Sequence, residues 1–258
     1  MFQNKKKVIL INESINYSKK AIKKYQSIGN VYLNDKNISK NIYSKVNYLV
    51  VRLSKKIDKN YIKKFPNLEI IVSPTTGITH IDYEFCKKNK IKIINLSSKD
   101  YGVKKINSTA ELTFGLIISL VRNINFSHNY LLKNRKLNRD LFVSRDLSKM
   151  SIGIIGLGRI GSKVAKYARA FNMKVYFYDT NQKIKQNNKK YIKVKSLKNI
   201  FKFSDIVSLH IPYNKKNNKI IDKNLFKIMK KNSYFINTSR GEIINENDLC
   251  FVLRKNLI

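Results

Sequence analysis

Three glycines, Gly156, Gly158 and Gly161, lie in the run Ile152-Gly153-Ile154-Ile155-Gly156-Leu157-Gly158-Arg159-Ile160-Gly161. Their spacing is that of a turn that holds a pyrophosphate, a weak signal alone because glycine-rich turns are common. The context strengthens it, since an apolar strand precedes the turn and a helical pattern follows, as dinucleotide binding requires. Gly156 allows the tight turn, Gly158 lets the backbone approach the phosphates, and Gly161 lets the helix pack closely. Arg159 and Ile160 fall in the first turn of that helix, whose free N–H groups and dipole favour an anion. Asp179 stands eighteen positions after Gly161, at the end of the next apolar run. A carboxylate there accepts from both ribose hydroxyls and repels the extra phosphate of NADP, so NAD is the expected cofactor. Lys183 and Lys185, just beyond, would soften that exclusion.

Such a turn works only at the end of a strand in a layered α/β domain, and the rest of the sequence supplies one. Residues 8–11, 31–33, 48–51, 68–72 and 91–94 read as buried strands, with helices over 14–27, 57–65 and 81–88 between them. A longer helix is expected over 107–122, opened by Ser108-Thr109, and residues 123–150 read as an irregular connection. A second series follows, with strands over 151–155, 174–178, 206–211 and 233–237 and helices over 159–171, 222–230 and 246–255. The alternation predicts an α/β protein of two doubly wound parallel-sheet domains. The first covers 1–103. The second, 104–258, is a Rossmann dinucleotide-binding domain, with the hinge near residues 100–107.

Composition narrows the alternatives. The chain has 258 residues with 43% hydrophobic and 11% aromatic content, too apolar for a disordered protein. No apolar run approaches the ~20 residues of a membrane span. The apolar stretch at 8–11 is too short for a secretory signal. Cys86 and Cys250 stand far apart with no CxxC partner, which argues against a cysteine-rich metal site or a disulfide scaffold and fits a reducing cytoplasm. The formal net charge is +37. Only nine of the 53 basic residues are Arg, and the 44 Lys are scattered in pairs along the whole chain. Together with abundant Asn and Ile, this is the pattern of an A/T-biased genome exchanging surface residues. Salt-sensitive, non-specific association with polyanions follows from such a field, and no specific nucleic-acid site is expected.

Several later blocks carry a resemblance. In the second half these are Ser208-Leu209-His210-Ile211-Pro212, Asn217-Asn218-Lys219-Ile220-Ile221 and Phe235-Ile236-Asn237-Thr238-Ser239-Arg240-Gly241-Glu242-Ile243-Ile244. In the first half they are Val51-Arg52-Leu53-Ser54, Pro66-Asn67-Leu68, Thr75-Thr76-Gly77-Ile78-Thr79-His80-Ile81-Asp82 and Ser108-Thr109-Ala110-Glu111-Leu112-Thr113. In this order they resemble the D-isomer-specific 2-hydroxyacid dehydrogenases, the group of D-3-phosphoglycerate, glycerate and D-lactate dehydrogenases. The resemblance covers nearly the whole chain.

It implies an NAD-dependent exchange of a D-2-hydroxy acid and its 2-keto acid by hydride transfer, at a site between the two domains. Arg240 takes the place of the catalytic arginine, which clamps the carboxylate and polarises the reacting oxygen. Thr76, Gly77 and Ile78 match the loop whose amides hold the substrate carboxylate, with Thr76 also near the cofactor. Arg52 matches an arginine that borders the pocket and helps bind a second anionic group in phosphoglycerate-type members. Ile211, Pro212, Asn217, Thr238, Ser239 and also Arg240 match positions lining the cofactor. The resemblance further implies a homodimer, with the helix over 107–122 near its interface.

The family also uses a His as acid/base, a Glu that holds it, and an Asp on the nicotinamide amide, all after the catalytic arginine. The sequence reaches Ile258 without them, so an incomplete record lacking the last strands of the second sheet is the expectation. Of the three histidines, His80 falls in the substrate loop, His128 after the long helix, and His210 at a strand end. None forms an evident dyad. A non-catalytic NAD-binding sensor or an inactive relic is the alternative, with a polyanion-binding protein a third reading. No metal site is expected, and the substrate is expected to be phosphoglycerate- or glycerate-like.

Overall fold

The computed structural model describes residues 6–15, 17–34, 38–97, 100–136, 138–181 and 191–258. Lys183 and Lys185 lie outside the described residues. The chain divides into two compact units, 1–104 and 105–258.

The first unit carries strands β1 (Lys7–Ile11), β2 (Gly29–Leu33), β3 (Tyr48–Val50), β4 (Ile70–Ser73) and β5 (Lys92–Asn95). All pair in parallel in the order β2-β1-β3-β4-β5. Helices α1 (Lys19–Gln26), α2 (Lys40–Tyr43), α3 (Lys59–Ile62) and α4 (Tyr83–Lys88) connect them, and α5 (Tyr101–Lys105) reaches the division. Alternation along the strands divides the core, with Leu10, Leu49 and Ile71 in one cluster and Ile9, Ile11 and Val50 in another. The helices start later than the apolar spacing suggests because polar side chains cap them. Ser18 accepts from the Ala21 amide, Asp58 from Tyr61 and Asp82 from Phe85.

The second unit carries β6 (Ser151–Ile155), β7 (Lys174–Tyr178), β8 (Ile192–Lys193), β9 (Ile206–Leu209) and β10 (Tyr234–Asn237). They form a parallel sheet in the order β10-β9-β6-β7-β8. Helices α6 (Ser108–Val121), α7 (Ile124–Asn134), α8 (Arg159–Ala170), α9 (Leu197–Phe203), α10 (Lys223–Lys227) and α11 (Glu246–Arg254) complete it. On one face Ile152 and Ile154 pack with Phe114, Ile117, Val164 and Ala168. On the other, Ile155, Val207 and Leu209 pack with Ile200, Phe201 and Phe226. Both sheets are doubly wound, as the alternation of strands and helices indicates.

The segment expected to be an irregular connection, 123–150, instead contains α7 and two short 3-10 turns. Its hydrophobic residues make no buried stripe, since Phe126 and Leu132 are 56% and 69% exposed. That removes the periodic signal. The helix is delimited by Asn123 and Arg135, both in the left-handed region, and Phe126, Tyr130 and Phe142 form a ring cluster beside it.

Buried Asp205 ties the lower ends of β6 and β9. It accepts from the Ser151 amide at 2.8 Å and hydroxyl at 2.6 Å, and pairs with Arg145 and Lys230. Burial pushes its pKa up, but the Ser151 hydrogen bonds and the two cations outweigh it and hold the carboxyl below the usual range.

Candidate active site

In the second unit the strand order reverses between β6 and β9, the place where open α/β sheets leave a crevice at their carboxyl ends. The glycine turn leaves β6 there. Gly156 has φ +89°, and a Cβ on it would lie 2.7 Å from Ile211 Cγ2 and 2.9 Å from the His210 carbonyl oxygen. A Cβ on Gly161 would lie 2.0 Å from the Gly156 carbonyl oxygen, so the helix packs first on the turn itself and only then on Ile154. Around Gly158 the space is open, and no side chain caps α8. A cradle cleared of side chains at the start of a helix fits a pyrophosphate.

Asp179 follows β7. Its Oδ2 accepts from the Leu157 amide at 2.8 Å and its Oδ1 from the Asn181 amide at 2.8 Å, which fixes the carboxylate beside the turn. Each oxygen keeps a lone pair for a ribose hydroxyl. Arg159 donates to the Ile106 carbonyl at 3.3 Å, and Lys163 donates to the same oxygen at 2.9 Å.

The segments after β9 and β10 are locked by side chains. Asn217 donates to the Pro212 carbonyl at 2.7 Å and accepts from the Asn214 amide at 2.8 Å. Ser239 Oγ donates to the Leu209 carbonyl, and Asn237 bridges the Ser239 amide and the Arg240 carbonyl. Thr113 Oγ1 donates to Thr109, so the Thr238 hydroxyl 2.8 Å away donates to Thr113. This scaffold holds Arg240 half-buried with Nη1 on the Ser239 carbonyl at 2.9 Å, and no carboxylate pairs with it among the described residues. Asn237 and Thr113 are supports that the sequence reading did not single out.

The first unit has its own reversal, between β1 and β3. A cleft of ≈ 600 Å³ opens there, lined by residues that follow β1, β2, β3 and β4, Arg52 among them. Glu13, which spacing gave no reason to choose, accepts from the Arg52 amide at 3.2 Å and the Ser54 amide at 3.4 Å. The Arg52 guanidinium donates to the Ile15 carbonyl at 3.0 Å. In the neighbouring loop the Thr75 hydroxyl takes the Gly77 carbonyl at 2.7 Å, while the amides of Thr76, Gly77 and Ile78 have no partner among the described residues. Three successive free amides suit a carboxylate.

Residues 114–258 match the family described as D-isomer specific 2-hydroxyacid dehydrogenase, NAD binding domain. The chain belongs to this family. A Staphylococcus aureus protein that carries the name of a 2-hydroxyacid dehydrogenase is 34% identical over 219 residues, 81% of this chain. This chain spans 65% of the length of that curated relative. The D-lactate dehydrogenase of Aquifex aeolicus, solved with NAD and lactic acid, has a TM-score of 0.81 and 27% identity, covering 97% of this chain and 74% of its own. An acyclic imino acid reductase, solved with NADPH and D-arginine, has a TM-score of 0.80 and 28% identity, covering 97% of this chain and 80% of its own.

Within this family member the glycine turn, Asp179 and the ends of β9 and β10 lie together on the second unit. On the first, Arg52 lines the cleft with Pro74 and Thr75, and the Thr76–Ile78 amides follow next in the chain. Among the described residues no three His, Cys, Asp or Glu side chains gather as a metal site. His210 Nε2 bonds Ser208 Oγ at 2.8 Å, and burial pushes its pKa down from 6.5 to about 4. Between those two pH values the unfolded chain binds a proton that the folded chain refuses, so stability falls as pH falls through this window. The loss should reach about 2 kcal/mol by pH 5, or roughly 4–8 °C in melting temperature. Thermal unfolding of His210→Gln should show a much flatter profile from pH 7.5 to 5, and an unchanged slope would remove His210 as the cause.

Proposed function

We propose that the protein is an NAD-dependent oxidoreductase of the cytoplasm that interconverts a D-2-hydroxy acid of the phosphoglycerate or glycerate kind and its 2-keto acid. The observation that carries this reading is Arg240, a half-buried guanidinium with no carboxylate partner among the described residues, on the same unit as a cleared phosphate cradle. A cation in such a place is poised for an anionic substrate.

Gly156, Gly158, Arg159, Ile160 and Gly161 would hold the pyrophosphate, and Asp179 the adenosine ribose. Ile211, Pro212, Asn217, Thr238 and Ser239 would line the rest of the cofactor, with Thr76 also close to it. When bound, the nicotinamide supplies or accepts the hydride. Thr76, Gly77 and Ile78 bind the substrate carboxylate through their amides, and Arg52 borders the substituent beyond the reacting carbon. Arg240 stabilises negative charge as it develops on the reacting oxygen. Exposed Leu112, Leu116 and Leu120, at helical spacing on α6, support a homodimer through that face.

The test is a titration of NADH and NADPH followed by addition of 2-keto acids, made on a chain that also carries the acid/base His and its Glu and read by nicotinamide fluorescence and absorbance. NADH should bind the tighter of the two, and a short 2-keto acid should then be reduced. NADH binding with no response to any keto acid would replace this reading with that of an NAD sensor.

A further inference from the structure

The first unit's cleft has a charge pattern that bears on which acid it takes. Arg52 alone would argue for a phosphorylated substrate. Glu13, however, faces the same cleft from the end of β1, and its two oxygens receive the Arg52 and Ser54 amides. The Arg52 guanidinium is already engaged by the Ile15 carbonyl. The remaining polar lining is uncharged. Asn12, only 4% exposed, has its Oδ1 taken by Asn34 Nδ2 at 2.8 Å and by the Tyr61 hydroxyl at 2.5 Å. Its Nδ2 has no partner among the described residues. Asn34 and Thr75 add neutral groups to the same lining.

Each Glu13 oxygen keeps a lone pair that can accept from a ligand hydroxyl, whereas a dianionic phosphate has no proton to offer it. A dianionic phosphate would gain one partly engaged, solvent-exposed guanidinium and meet a fixed carboxylate in the same cleft. We propose that Glu13 is a specificity-determining residue that turns this cleft against a second anionic group and toward a hydroxyl. The favoured substrate then carries a neutral hydroxymethyl group beside the reacting carbon, as glycerate does, and not a phosphate. This inference rests on the dehydrogenase reading above.

Three acids that differ only at the third carbon separate the two. D-lactate, D-glycerate and D-3-phosphoglycerate are titrated calorimetrically into the protein saturated with NAD, with no need for turnover. D-glycerate should bind tightest and D-3-phosphoglycerate at least about tenfold more weakly. In Glu13→Gln the ratio between glycerate and phosphoglycerate should narrow by about tenfold. Should that variant fold poorly, the order of the three acids on the unaltered protein still decides. Phosphoglycerate binding as tightly as glycerate, or lactate matching glycerate, overturns the assignment to Glu13 while leaving a 2-hydroxy-acid site intact. Failure of all three acids to bind overturns the dehydrogenase reading and this inference with it.

Discussion

In a chain that also carries the acid/base His and its Glu, replacing Arg240 with Ala is expected to lower keto-acid turnover by about 10²–10³-fold, while NADH affinity changes by no more than roughly threefold. The split follows from what the side chain touches. Its only hydrogen bond among the described residues runs to the Ser239 carbonyl, and the fold of the β10 turn is held by Asn237 and Ser239 instead. Removing the guanidinium therefore leaves the scaffold standing and deletes a charge that the transition state needs more than the ground state does. Arg240→Lys should recover only part of the loss, since an ammonium keeps the charge and not the planar fork. Steady-state kinetics beside a fluorescence titration of NADH check both quantities. Equal losses in turnover and NADH affinity would make Arg240 a cofactor support and remove it from the chemistry.

Gly161→Ala should have the largest effect on the fold. The new methyl would sit 2.0 Å from the Gly156 carbonyl oxygen, a backbone atom. The turn has little room to retreat, because Gly156 itself lies close to Ile211 and His210. Separation of α8 from the turn should cost about 2–4 kcal/mol, lowering the melting temperature of the second unit by roughly 5–15 °C. NADH binding should weaken by at least about tenfold, because the amides that face the phosphates move with the helix. Gly115→Ala is the control, since a Cβ there meets nothing within 4 Å. It should be neutral or stabilising by up to about 1 kcal/mol. Similar melting temperatures for the two variants would mean that the close approach at Gly161 relaxes at little cost.

The parts of this molecule that could be read in the sequence are those set by periodicity and by glycine. Strands β6 and β7 have the bounds that their apolar runs suggest, because both are interior strands, β6 buried throughout and β7 at Val175 and Phe177. The pyrophosphate turn is legible because each glycine answers a steric demand. Helix α7 was not legible, as its hydrophobic residues face outward and leave no stripe to find. Glu13 and Asn12 were missed for a different reason. Each looks like an ordinary polar residue after a strand, and only the sheet order shows that β1 stands beside β3 at the point of reversal. Asn237 was hidden in the same way, since its work is to brace Arg240 and Ser239 and no spacing announces a brace.

The division of labour between acids and bases has a consequence for how this chain can change. Asp179 and Glu13 each receive two backbone amides, one on either oxygen. Asp205 receives the Ser151 amide and hydroxyl besides two cations. An Asn or Gln in these places would turn one acceptor into a donor and set it against another N–H. Most of the described lysines are exposed, and a solvent-facing exchange away from such features usually shifts stability by less than about 0.5 kcal/mol. Drift in base content is thus nearly free, whereas acid content has a floor. A lineage under nucleotide bias can slide far toward the basic side and cannot slide much further by shedding carboxylates. Attempts to engineer the protein toward neutrality should accordingly remove lysines and leave the few acids where they are.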